Sequence, residues 1–388
     1  MQRSLILALC LAPALGQALE FKPSARLNGQ ASYSSVNPRS SWGADGESFL
    51  VPALKQGDWM LLPLVGVLGR TSARSLEEES FFVESYTFLA KPQLLWKRGE
   101  AQYKLLGGAK RVINKETVDE VWSKGKYDYE EFSAGLGGQW KGLCPSLGKS
   151  GASLEVLHRS YMNWHELGTL VVGGKNYYDK DYNGLKLVLD TESAKDAKHP
   201  WTAGYTFLLK NYTDAYLDSK KNKPDVPSGL RQDQLHRLET SCLHALSPQW
   251  GGALNLGLDL NLSNMSYLDP GTTDYDADFY SYHSETLGGS LTWFPRGEEG
   301  PTLSPHYSLT SRNYLGRSIR KPDGDYTQGK QADIEHRLGL DGRWPLVKWA
   351  ALTAGVDYYS VQSNQAYVAR INNTFDVFKA SLGADLRY

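Results

Sequence analysis

Between Leu254 and Ser263 every second residue is leucine. Leu254, Leu256, Leu258, Leu260 and Leu262 alternate with Asn255, Gly257, Asp259, Asn261 and Ser263. Successive side chains of an extended strand point to opposite faces, so this stretch is a strand with one greasy side and one polar side. The pattern returns at similar length along the chain. Phe132, Ala134, Leu136, Gly138 and Trp140 oppose Glu131, Ser133, Gly135, Gly137 and Gln139. Trp201, Ala203, Tyr205, Phe207 and Leu209 oppose Thr202, Gly204, Thr206, Leu208 and Lys210. Ile334, Leu338, Leu340 and Trp344 lie opposite Glu335, Arg337, Asp341 and Arg343. Few segments carry a helical period, so the fold class is all-β. The choice is between a soluble sandwich, whose charged faces meet bulk water, and a closed barrel, whose charged faces line a wet lumen.

The connectors favour the barrel. Trp96, Trp140, Trp201, Trp250, Trp293, Trp344 and Trp349 stand beside short Gly, Pro or charged links at 97–100, 142–145, 198–200, 247–249, 295–300 and 345–348. Indole prefers the headgroup layer, where the ring is buried and the N–H stays wet, so these residues form a candidate interfacial girdle. Between the short links lie longer polar ones, near 37–45, 71–81, 113–126, 165–180, 214–231, 266–277, 316–329 and 363–373. Alternating short turns and long loops predict an antiparallel transmembrane β-barrel of about 16 strands. Ser24–Val36 and Glu47–Lys55 supply the first two strands, and 56–58 the first tight turn. Trp59–Gly69 is apolar on both faces and contains Pro63, which predicts packing against a plug, a loop or a partner inside the lumen. No domain boundary, domain-scale repeat or low-complexity linker is visible.

The first residues read as a secretory signal. Arg3, the apolar run Leu5–Leu11 and small residues up to Gly16 and Ala18 place a cleavage near residue 18, leaving 19–388 as a single barrel domain. That run is far below the roughly 20 apolar residues of a membrane helix. Cys144 and Cys242 then remain, widely spaced, which is not a disulfide framework. With a net charge of −1, nothing points to nucleic acid.

The last strand sharpens the reading. Phe378, Ala380, Leu382, Ala384, Leu386 and Tyr388 share one face, and Lys379, Ser381, Gly383, Asp385 and Arg387 the other. It runs to the final residue and stops on an aromatic. Ser381, Gly383, Leu386 and Tyr388 resemble the terminal signal of bacterial outer-membrane β-barrel proteins. That resemblance implies export to the outer membrane of a Gram-negative cell, recognition by the barrel-insertion machinery, and a last strand that closes the sheet against lipid. It further implies a porin-like channel for small polar solutes. The alternative is a barrel subunit of a larger machine, such as a polysaccharide-export conduit or a sheath around a lumenal or periplasmic protein. A barrel-wall hydrolase is a more distant alternative.

Alternation projects Lys91, Lys97, Lys104 and Lys110 into the lumen as a basic strip. Charges of both signs follow elsewhere: Glu155 with Arg159, Lys186 with Asp190, Arg237 with Glu239, and the group Asp333, Glu335, Arg337, Asp341 and Arg343. Like charges on neighbouring strands are unfavourable, so the lysine strip is the part that calls for a functional reason. The connector 113–126 is too short to cross a wide lumen as a constriction. Tyr177, Tyr178, Tyr182, Tyr212, Tyr216, Tyr280 and Tyr282 read as an outer aromatic girdle, with carbohydrate contact as the rival role. Asp274, Asp276 and Asp278 alternate as calcium ligands would, without the remaining donors. No Gly-x-Ser-x-Gly, His-Glu-x-x-His or phosphate-loop motif occurs, and the eight histidines are scattered. No cofactor, metal or catalytic residue is expected.

Overall fold

The computed structural model describes residues 20–36, 39–73, 84–115, 121–142, 147–164, 171–172, 175–176, 180–194, 197, 199–216, 229–268, 275–276, 278–297, 299–365 and 374–388. The predicted signal peptide lies outside them. The chain forms β1 (Glu20–Val36), β2 (Arg39–Gln56), β3 (Trp59–Ala73), β4 (Glu84–Arg98), β5 (Ala101–Lys115), β6 (Tyr129–Lys141) and β7 (Leu147–Tyr161). A small ribbon of β8 (Val171–Val172) and β9 (Lys175–Asn176) follows. Next come β10 (Tyr182–Ser193), β11 (Trp201–Tyr216), β12 (Leu230–Ser247) and β13 (Trp250–Ser263), and a second ribbon of β14 (Tyr267–Leu268) and β15 (Tyr275–Asp276). The chain ends with β16 (Tyr282–Trp293), β17 (Thr302–Arg320), β18 (Tyr326–Val347), β19 (Ala350–Ser363) and β20 (Phe375–Arg387). Leaving out the two ribbons, the remaining strands pair in chain order into one closed antiparallel barrel of 16 strands.

Closure is made by the two ends of the chain. β20 pairs β1 from Arg26↔Arg387 to Val36↔Val377, and Ala25 and Tyr388 exchange both backbone hydrogen bonds at 2.9 and 3.0 Å. In this strand Leu386 faces outward opposite Leu27, Tyr388 projects from the rim, and Ser381 and Gly383 face the lumen. Gly383 lies against Gly29 and Gln30 of β1, where an added Cβ would strike backbone.

The outer surface is apolar between two polar levels. Leu50, Val65, Leu105, Leu136, Val156, Leu258, Leu338 and Leu382 all point outward and are exposed. One edge of this band carries the tryptophans beside the turns. Its other edge is an outward polar row in which His158 bonds Asn183 at 3.0 Å, and Gln232 donates to Asn211 at 2.7 Å. On β11 the band runs from Trp201 to Asn211. Ten residues at about 3.3 Å each, tilted by about 40°, span roughly 25 Å, the height of a barrel's lipid-facing band.

Two expected loops are strand instead. The connection read at 37–45 shrinks to two residues, because β1 and β2 pair up to Val36↔Arg39. That at 316–329 shrinks to 321–325, between β17 and β18. Polar sequence misled there: beyond the lipid band a strand needs no apolar face, so its alternation fades while its backbone pairing continues. The strict alternation of short and long connections therefore fails at the first hairpin.

The structure also brings out a repeat, against the expectation that the chain has none at domain scale. Tyr182, Asp233, His236, Arg237 and Asn264 on β10–β13 recur as Tyr282, Asp333, His336, Arg337 and Asn364 on and beside β16–β19. Their contacts recur with them. Tyr205 bonds His236, and Tyr307 bonds His336, both at 2.8 Å. Asn264 receives Gln232 N–H and donates to Leu230 C=O, as Asn364 does with Ala332 and Lys330. Lys210 lies over Tyr182, and Arg312 over Tyr282. Each residue and its counterpart are the same 100 residues apart, so the repeat is linear in the chain and its contacts show it to be structural.

A row of prolines crosses one wall. Pro23 pairs with Pro52 and Pro63 with Pro92, and the β2–β3 register sets Pro52 level with Pro63. All four face outward, a few residues in from the tryptophan-bearing turns, and the added Cβ of Gly107 on β5 would meet Pro92. Regular pairing is interrupted beside the row, between Leu50↔Val65 and Leu54↔Leu61 and between Ala90↔Ala109 and Gln93↔Leu106.

The closing seam makes a direct test. Gly383→Val should force β20 away from β1 and cost about 1–3 kcal/mol, as overpacking does. The fraction of heat-modifiable folded barrel on unboiled gels should fall, while Ser381→Ala should leave it unchanged.

Candidate functional site

Which side chains enter the lumen follows from strand alternation anchored by the outward leucines. Arg237, Glu239 and Asp259 lie on the face opposite Leu238, Leu256 and Leu258. By the same parity Lys91, Lys97, Lys104, Lys110, Glu155, Arg159, Glu335, Arg337, Asp341 and Arg343 all point inward.

Around the mixed charges named from the sequence, the ion pairs run across strands, although Arg231–Asp233 and Arg387–Asp385 each pair within one strand. Arg159 donates to Glu131 at 2.9 Å, and Lys186 approaches Glu155 at 3.9 Å. Arg237 makes a two-toothed pair with Asp259 at 2.8 and 2.9 Å. Arg312 binds Glu335 at 3.0 Å, and Arg337 binds Asp357 at 2.9 Å. His306 bridges Asp341 and Asp357 at 3.2 Å each, whereas Nε of Arg343 has no hydrogen-bond partner among the described residues. Two residues along a strand are nearly 7 Å apart, while direct cross-strand neighbours are about 5 Å apart, so the transverse partner wins.

The lysine strip differs. Among the described residues no ion pair joins Lys91, Lys97, Lys104 or Lys110 to a carboxylate, and of the four only Lys110 meets a ring, Tyr129 at 5.2 Å. Lys110 stands opposite Glu131 in register, yet that carboxylate is taken by Arg159. The registers set the four as two diagonal pairs, Lys91 with Lys110 and Lys97 with Lys104.

A contrasting wall lies on β7 and β10–β13. In one transverse row Gly151, Asp190, Gly204, Glu239 and Gly257 follow each other strand by strand. Each carboxylate thus has a glycine on either side, and neither has an ion pair or hydrogen bond among the described residues. The missing side chains leave a cavity of about 690 Å³ over this row, lined also by Arg237, Asp259 and Thr286. Glu239 was expected at the wall; the glycine frame around it required the register.

Of the two aromatic rims, only the tyrosine rim departs from expectation. Trp96, Trp140, Trp201, Trp250, Trp293 and Trp344 point outward next to the turns, and Trp349 lies exposed in the turn after β18. Trp59, absent from that group, stacks on Trp96 at 5.5 Å, as Trp250 does on Trp293 at 6.2 Å. Tyr182, Tyr212 and Tyr282 are a correction: they face the lumen, not the lipid. Tyr182 and Tyr212 are buried against each other, and Arg231 lies over Tyr212 and Tyr280 while gripping Asp233. Their ring faces are covered by cations, so they brace the wall. Tyr177, Tyr178 and Asp274 lie outside the described residues, as do the side chains of Tyr216 and Asp276. The described part of the 113–126 connector does not cross the lumen. Buried Asp128 accepts the N–H groups of Asn114 and Gly125, and Asn163 donates to Ser123 and Gly125, tying 121–128 to the rim.

No family model matches the sequence, and no curated protein matches it. Solved structures do. OpdK of Pseudomonas aeruginosa, crystallised with vanillate, is 9% identical with a TM-score of 0.52, covering 95% of this chain and 99% of that one. OccK2 (OpdF) of the same organism is 12% identical with a TM-score of 0.50, covering 94% and 98%. The likeness extends over the whole barrel and is one of fold.

The unpaired lysines should cost stability. Lys91→Gln together with Lys104→Gln should raise the barrel's stability by about 0.2–1 kcal/mol at low salt, the scale of a relieved cross-strand repulsion. Arg237→Gln, which breaks a two-toothed pair, should lower it by about 1–3 kcal/mol. Urea unfolding midpoints in lipid vesicles read both.

Proposed function

We propose that this chain is an outer-membrane channel for small polar solutes and that it favours anions. The observation that carries the reading is the lysine strip on β4–β5, whose four positive charges lack acidic partners while most lumenal charges elsewhere are neutralised across strands. An unneutralised cation in a narrow wet passage lowers the energy of an anion beside it, because low-dielectric walls confine the field. Asp190 and Glu239 oppose this from the glycine-framed wall, so a solute crossing the lumen meets a transverse field. Two carboxylates against four lysines leave the balance with anions. The fold shared with OpdK, an outer-membrane protein, supports the location. The C-terminal strand, which closes the sheet, supports delivery by the barrel-insertion machinery.

A second reading, a barrel that encloses part of a larger machine, is favoured by one feature: the inward face of β3 is itself apolar. Purified protein in planar bilayers separates the two. Stable ohmic channels, with a reversal potential in a salt gradient displaced toward the anion, are expected from a channel. Silence of the pure protein would sink that reading and favour the machine. Replacing Lys91, Lys97, Lys104 and Lys110 together by Gln should move the reversal potential toward the cation. An unchanged potential would remove the strip from the mechanism.

A further inference from the structure

Among the described histidines, two take each other as partner. His158 bonds Asn183, His236 and His336 bond tyrosines, His283 approaches Glu285, and His306 lies between Asp341 and Asp357. His199 and His244, 45 residues apart in the chain, instead set Nδ1 against Nδ1 at 2.8 Å. Their ring centroids are 4.6 Å apart, with the planes inclined at 32°.

Register brings them together. β11 and β12 pair at Trp201↔Cys242, and the Leu243 N–H donates to the Pro200 carbonyl at 2.7 Å. One rung further, His199 falls opposite His244. Because the ladder bond joins Pro200 to Leu243, the rungs on either side are of the non-hydrogen-bonded kind, where facing side chains stand closest. Parity with Leu238 turns His244 outward, at the next outward position after the rung of Trp201. On its other flank His244 stands level with Gly252 of β13, where an added Cβ would make only ordinary contacts, at 3.6 Å or more. His199 is exposed and His244 partly so, which leaves the pair open to solutes.

Only one proton fits between two facing Nδ1 atoms, so one ring donates and the other accepts. A metal ion in place of that proton would take a lone pair from each ring. The donor ring's proton then passes through water to its own Nε2, with no net proton lost. Metal–imidazole bonds are about 2.0–2.1 Å long, so two of them at a right angle hold their nitrogens about 2.9 Å apart. At the tetrahedral angle the nitrogens would stand about 3.3 Å apart. The observed 2.8 Å fits the right angle, which is the geometry of copper(II) and nickel(II) rather than of zinc.

We propose that His199 and His244 form a surface site for a divalent transition-metal ion, copper(II) or nickel(II), with water in its remaining positions. Among the described residues no group of three or more His, Cys, Asp or Glu could hold an ion, so the protein supplies these two ligands alone. Magnesium, which takes oxygen ligands, does not suit them. The ion would tie the segment before β11 to β12, one rung beyond their last ladder bond. The site lies on the outer face of the tryptophan-bearing rim and is independent of what the lumen passes.

The test titrates the purified barrel, free of any polyhistidine tag, with Cu²⁺ and reads electron paramagnetic resonance. Cys144→Ser and Cys242→Ser are built in throughout, so that no thiol binds or reduces the copper. One ion should bind per chain with two equatorial nitrogens, Ni²⁺ should displace it better than Zn²⁺, and Mg²⁺ should not displace it. His199→Gln and His244→Gln should each weaken Cu²⁺ binding at least about tenfold, since even an outer-shell partner of a metal ligand is worth that much. His158→Gln, at the opposite edge of the lipid band, should leave it unchanged. Heat-modifiable migration on unboiled gels shows that each variant has folded. Undiminished Cu²⁺ binding by either folded variant, or a spectrum with one nitrogen, overturns the site. Displacement by Mg²⁺ would overturn it too, by exposing a general attraction for cations.

Discussion

A strand that crosses lipid must find a partner for every backbone N–H and C=O within the protein, because hydrocarbon offers none. That single demand shapes this molecule. It forbids a sheet edge, so the last strand must return to the first, and the exchange between Ala25 and Tyr388 finishes the circle. It also makes the proline row a costly feature. Proline removes a donor from the ladder, and interior strands avoid it. Pro52 and Pro63 each sit four residues from the tight turn at Gly57-Asp58, and Pro92 near the turn at Gly99. The row stands four residues inside the level of Trp59 and Trp96, within the apolar band, and the regular pairing breaks off beside it.

With the backbone settled, side chains divide the barrel by parity. Outward polar groups appear in mutually satisfied pairs, Tyr205 with His236 and Tyr307 with His336, as an apolar solvent requires. Many inward charges pair across strands, and the repeated unit shows how tightly that is specified. Arg237 with Asp259 and Arg337 with Asp357 are the same bond made twice. Tyr–cation stacking near the rim opposite the tryptophans is likewise repeated, and it stiffens the wall where longer connectors begin.

Against this regular neutralisation, β3–β5 and the Asp190–Glu239 row stand out. One wall holds lysines and leucines without acids, the other acids framed by glycine. Both sacrifice local stability, through repulsion or lost side-chain packing. Proteins keep such features where a ligand or solute supplies the missing partner. The two walls lie on different strands of one rigid cylinder, so their field is fixed before any solute enters.

The sequence by itself determined the strand, its period, its number and its end. Repeated alternation from Leu254 to Leu262 and its counterparts needs no tertiary contact to be read, since side-chain direction follows from backbone geometry alone. For the same reason parity put all four lysines on one face. What it did not determine was who faces whom. The pairing of Arg159 with Glu131 and not Glu155, the glycines beside Glu239, and the burial of Tyr182 against Tyr212 all depend on inter-strand register. Register is set by many weak cross-strand contacts and by turn geometry summed around the circle, so it exists only once the barrel has closed.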